Sequence, residues 1–144
     1  MSRRMWMAAL SLVGIFIAAY LTLYHFGYVG TLVCTTGGCE TVQLSKWSKL
    51  FGLPVAAWGL GYYASVFVLT LVGIQDRYAE SRRLSLILVL LTGWGAVFSG
   101  WLTYLEAGPI GAWCQWCVGS AIVAALLFVA SLLDWRHTRE ARPA

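Results

Sequence analysis

Four stretches of this chain carry no Asp, Glu, Lys or Arg: Met5 to Cys39, Leu50 to Gln75, Leu84 to Leu105 and Ala107 to Leu133. Each can hold a helix that crosses a bilayer, which needs about 20 consecutive apolar residues and satisfies its own backbone N–H and C=O groups. Four such stretches in 144 residues leave too little polar surface to cover a soluble core. Only 11% of the residues are charged, against about 25% in soluble domains. The expectation is an all-α protein, an integral membrane four-helix bundle forming a single domain over 1–144, with helices at about 5–24, 54–74, 84–105 and 110–133.

The net charge of +4 does not point to nucleic acid once its distribution is considered. Arg3 and Arg4 precede the first span, Arg77, Arg82 and Arg83 separate the second from the third, and Arg136, Arg139 and Arg142 follow the fourth. Only Lys46 and Lys49 fall in the opposite loops, so eight of ten basic residues agree with cytoplasmic termini under the positive-inside rule. The first apolar segment is longer than the core of a cleaved signal peptide, and removing it would reverse that agreement; it reads as a retained anchor.

The longest connection, His25 to Leu53, lies on the non-cytoplasmic side. Within it, Glu40 to Phe51 mixes Val42, Trp47, Leu50 and Phe51 with Gln43, Lys46 and Lys49, a pattern expected of a short interfacial helix. Pro54 suits the first turn of the second helix, where its missing N–H costs nothing. Gly93, Gly95 and Gly100 permit close approach to the third helix, which makes helices two and three expected neighbours. Glu106 to Gly111 reads as a tight turn, and the charged segment beyond Leu133 as a mobile tail.

All four cysteines fall on the non-cytoplasmic side. Cys114 and Cys117 form a C-x-x-C near the start of the fourth helix, a spacing that puts both sulfurs on one face. A helix N-terminus favours the thiolate, the nucleophile of disulfide exchange. Cys34 and Cys39 are separated by Thr-Thr-Gly-Gly, a tether that lets either sulfur reach a partner or the other pair. Two structural disulfides would suit the same oxidising compartment, and a four-sulfur zinc site is disfavoured there, so no metal is expected.

The chain resembles bacterial members of the vitamin K epoxide reductase family. The resemblance rests on Cys34 and Cys39, on Ser45, Lys46 and Trp47, on Phe51 to Pro54 with Trp58 and Gly59, and on Cys114, Cys117 and Ser120. The order of the two cysteine pairs is the reverse of that in the DsbB-like oxidases. The resemblance implies a four-helix bundle holding a quinone, ubiquinone or menaquinone, with Cys117 next to the ring and Cys114 exchanging with the loop pair. It also implies that the face of the second helix carrying Trp58 and Tyr62 lines the quinone pocket. Vertebrate relatives have a tyrosine where this chain has Ala121 and an asparagine near the start of helix two, whereas Pro54 to Ala57 contains none. Quinone as electron acceptor therefore fits better than epoxide reduction.

The implied function is a membrane thiol-disulfide oxidoreductase. Electrons would pass from a thioredoxin-like, DsbA-like partner on the outer side, expected as a separate protein, through Cys34/Cys39 and Cys114/Cys117 to quinone in a bacterial plasma membrane. A DsbA-like partner sits near about −120 mV, so its reoxidation needs an acceptor as strong as a respiratory quinone. The alternatives are a quinone or vitamin K epoxide reductase, and a non-enzymatic membrane protein with two structural disulfides.

Overall fold

A computed structural model of the chain describes residues 3–28, 49–50, 52–75, 82–108, 111 and 115–141. Four helices dominate: α1 (Arg3–His25), α2 (Val55–Ile74), α3 (Arg82–Ala107) and α4 (Gln115–Ala141). Each contains a segment long and apolar enough to cross a membrane, namely Arg4–His25, Val55–Ile74, Arg82–Leu105 and Gln115–Arg136. The shortest of these has 20 residues, which at 1.5 Å per residue spans about 30 Å, the thickness of the hydrocarbon layer.

Local chemistry sets several of the ends. α1 stops in a Schellman motif, in which Gly27 adopts φ +86° and its N–H donates to the Tyr24 carbonyl, while Tyr28 N–H donates to that of Leu23. Between α1 and α2, a minimal antiparallel pair joins β1 (Lys49–Leu50) to β2 (Leu53–Pro54), with Lys49 opposite Pro54 and Leu50 opposite Leu53. Gly52, at φ +82°, supplies the reversal. This corrects the interfacial-helix expectation at its end: Lys49 and Leu50 are strand, and residues 40–48 lie outside the described set. Pro54 is the N-cap of α2 in extended conformation (ψ 145°), one position before the helical turn expected for it.

The bundle is not assembled as the glycines of α3 suggested. α1 lies against α2 and α4, and α3 lies chiefly against α4, while α2 meets α3 at far fewer points. The glycines divide between partners. Gly95 admits the Tyr62 ring of α2, Gly93 faces Phe128 of α4, and a side chain at Gly100 would meet nothing. The core runs through Met7 and Ala18, Tyr63 and Val66, Leu84 and Leu88, and Val123 and Leu127, with contributions from all four helices. Phe16, Trp94 and Val97, 66–70% exposed, turn outward as lipid-facing side chains do.

At the end of the bundle where α1 begins, Arg4 is not the solvated flanking charge that the sequence suggests; it is 4% exposed. Its Nε donates to Asp134 Oδ2 of α4 (3.2 Å), Nη1 to the Gly73 carbonyl of α2 (2.6 Å) and Nη2 to Ser85 Oγ of α3 (3.0 Å). Ser85 in turn donates to Asp134 (2.8 Å). One guanidinium thus clamps the ends of all four helices. A buried, paired Asp134 has no reason to interrupt helix formation, and α4 accordingly continues to Ala141 instead of ending near Leu133. Deeper in the bundle, Thr92 of α3 and Ser131 of α4 share a hydrogen bond of 2.6 Å.

Candidate functional site

Cys117 is the third residue of α4, in the turn whose backbone N–H groups have no intrahelical acceptor, and it is half-buried. It packs against Leu21 of α1. Leu21, 4% exposed, is packed by Ile17, Tyr20 and Tyr24 of its own helix, by Ala56 of α2 and by Trp116 and Cys117 of α4. The Tyr20 ring meets that of Trp116 edge-on, with centroids 5.1 Å apart. Helix register explains the grouping. Cys117, Leu21 and Ala56 each lie seventeen residues along their own helices from Asp134, Arg4 and Gly73, the groups joined in the clamp. At 1.5 Å per residue they share a level about 25 Å from it.

Of the four cysteines, Cys34, Cys39 and Cys114 lie outside the described residues, and Cys117 is placed. Trp58, on α2, is 44% exposed. Tyr62 is half-buried and packs against the central core; its ring meets that of Tyr63 at 4.9 Å. Its hydroxyl is buried without a hydrogen-bond partner among the described residues, so a ligand oxygen would be its natural complement. Ala121, half-buried, follows Cys117 by one helical turn. Neither Trp58 nor Tyr62 belongs to the cluster that holds Cys117.

The α1 aromatics were missed, yet they carry a readable signal. Ile17, Tyr20, Leu21 and Tyr24 follow the i, i+3, i+4, i+7 spacing of one helical face. In a span apolar all round, that spacing alone does not distinguish the protein-facing stripe from the lipid-facing one.

Just below Cys117, Tyr63 of α2 reaches across to α4. Its hydroxyl donates to the Ser120 carbonyl (2.7 Å) and lies 2.8 Å from Ser120 Oγ. The ring is 2% exposed and occupies space left by Gly14 of α1, where any Cβ would overlap it. The site thus combines a sulfur in a helix-initiating turn with aromatic and aliphatic side chains from α1, α2 and α4. Such surroundings suit a flat, largely apolar ring bearing oxygen acceptors. The sequence model of the vitamin K epoxide reductase family matches residues 5–132 of the chain.

Proposed function

Because the chain belongs to the vitamin K epoxide reductase family, membrane oxidoreductases of quinone and thiol chemistry, we propose that it passes electrons from a reduced thioredoxin-like (DsbA-like) protein to a quinone and so supports disulfide formation. The observation that carries this reading is the seat of Cys117, in the first turn of α4 against the Tyr20, Leu21, Tyr24 and Trp116 cluster. A thiolate formed there during exchange sits at the positive end of the α4 dipole. The apolar wall beside it suits an acceptor that arrives from the lipid.

The electron balance is simple. The partner's dithiol reduces the Cys34/Cys39 disulfide through a mixed disulfide and is itself oxidised. The resulting loop dithiol reduces the Cys114/Cys117 disulfide in the same way. Bound quinone, ubiquinone or menaquinone, supplies a two-electron, two-proton acceptor. Oxidation of the Cys114/Cys117 dithiol re-forms its disulfide, and both electrons and both protons leave with the quinol. In this scheme Cys117 faces the acceptor, Cys114 exchanges with the loop pair, and Tyr62 donates its unsatisfied hydroxyl to a quinone oxygen. Trp58 and Ala121 complete the pocket.

The site faces the outer side of a bacterial plasma membrane in this reading, with both termini cytoplasmic. Arg4 drops out of the charge count because Asp134 pairs with it, and seven of the nine other basic residues still favour that orientation. Ala121, standing where vertebrate relatives have tyrosine, favours quinone over epoxide as the substrate.

Absorbance-monitored quinone reduction by the purified protein, with a reduced DsbA-like partner and single Cys→Ala variants at positions 34, 39, 114 and 117, tests the proposal. Turnover abolished in Cys114→Ala and Cys117→Ala is the expected result. No turnover of either quinone by the unaltered protein would refute it.

A further inference from the structure

A serine inside a helix ordinarily folds its hydroxyl back onto a carbonyl three or four residues earlier. Thr22, Ser65, Thr70 and Thr103 do so here. Ser120 does not. Its hydroxyl is turned across the helix boundary to Tyr63, and its carbonyl, which the helix already uses once, accepts a second hydrogen bond from the same phenol. With the phenol proton committed to that carbonyl, the Ser120 hydroxyl donates to the Tyr63 oxygen. Two hydrogen bonds therefore tie one tyrosine to one residue of α4, three positions after Cys117.

The tyrosine itself is held on its remaining sides. In a helix, side chains lean toward the N-terminus, so Tyr63 extends from its Cα toward the end of α2 that lies level with Cys117. Its ring fills the slot at Gly14 on α1 and contacts the Tyr62 ring. A phenol has only two side-chain torsions, and here both are fixed by packing. The contact therefore sets two coordinates of the redox turn at once, its depth along the bundle axis and its rotation toward the α1 aromatics.

We infer that Tyr63 is a positioning residue for the cysteine chemistry, acting through Ser120 to hold the Cys117 turn of α4 in register with its electron acceptor. The inference rests on the thiol-to-quinone reading above. Tyr63 does not touch the sulfur or form part of the relay; it acts through geometry alone. A displacement of about 1 Å at a reacting centre can lower a rate by up to about a hundredfold, so loosening this tie should act on turnover more than on binding.

The test compares Tyr63→Phe, Ser120→Ala and their double variant with Thr92→Val, which removes an interhelical hydroxyl pair of the same kind between α3 and α4, further from Cys117. Expected is a kcat for quinone reduction lowered about tenfold or more in Tyr63→Phe, which removes both hydrogen bonds, and lowered less in Ser120→Ala, which keeps the bond to the backbone carbonyl, with KM for the reduced partner unchanged in both. The double variant should be no worse than Tyr63→Phe alone, because that substitution already removes both bonds to Ser120. Thr92→Val should lose comparable resistance to unfolding while keeping its kcat. A kcat within twofold of the unaltered protein in Tyr63→Phe overturns the inference, as does a loss that Thr92→Val reproduces. Either result in an otherwise active protein leaves the proposed function intact, whereas an inactive unaltered protein overturns that reading and this inference with it.

Discussion

Replacing Asp134 with alanine isolates what the four-helix clamp contributes. At 3.2 Å and an effective dielectric of about 20, the gross attraction between Arg4 and Asp134 is about 5 kcal/mol. Both side chains are almost wholly buried, so desolvation offsets much of that attraction, and the pair as a whole contributes little net stability. Removing one partner is a different matter. Asp134→Ala leaves the guanidinium buried without its carboxylate partner, though still bonded to the Gly73 carbonyl and the Ser85 hydroxyl, a loss of about 3–5 kcal/mol. Against a total stability on the order of 5–15 kcal/mol, that is a large fraction. Replacing both partners with apolar residues, Arg4→Met with Asp134→Leu, strands no charge and should recover most of the loss. Equilibrium unfolding in mixed detergent micelles, followed by tryptophan fluorescence, measures all three proteins on one scale. A cost below about 1 kcal/mol for Asp134→Ala, the behaviour of an exposed pair, would refute the burial argument. So would a double variant as unstable as the single one.

Two further substitutions separate packing from chemistry. Gly14→Ala forces a methyl group into the Tyr63 ring and should cost about 1–3 kcal/mol in the same unfolding assay, with quinone turnover falling alongside because the ring can no longer reach Ser120. Tyr62→Phe removes a buried hydroxyl that has no partner among the described residues, so stability should stay level or rise by about 1 kcal/mol. If that hydroxyl meets a quinone oxygen, KM for quinone should rise severalfold in the same variant, and an unchanged KM would remove Tyr62 from the pocket.

The two ends of the bundle are built from different chemistry. At one, Arg4 ties α1, α2, α3 and α4 together through charge-assisted hydrogen bonds. At the other, about 25 Å away, Cys117 sits in a cluster of aromatic and aliphatic side chains. In the proposed relay, a bundle anchored at its polar end can hold the Cys117 turn in register while leaving the opposite end open to exchange. Tyr63 lies between the two and is tied to Ser120, three residues after Cys117.

What the sequence alone determined is the part of the structure that depends on local composition. A helix in hydrocarbon satisfies its own backbone, so an uncharged apolar run of sufficient length specifies a span without reference to anything else in the chain. The four spans follow from that, and the family was legible in short motifs such as Pro54 with Trp58 and Cys117 with Ser120. The pairing of the helices was decided only in three dimensions. Both protein-facing and lipid-facing sides are apolar here, so periodicity does not say which stripe turns inward, and three glycines in α3 suggested a neighbour that receives only one of the contacts. The same holds for the α1 stripe at Tyr20, Leu21 and Tyr24, which became a wall of the site only once α4 was laid against it. Arg4 and Asp134, 130 positions apart, read separately as flanking charges because the energy that buries each of them comes from the other.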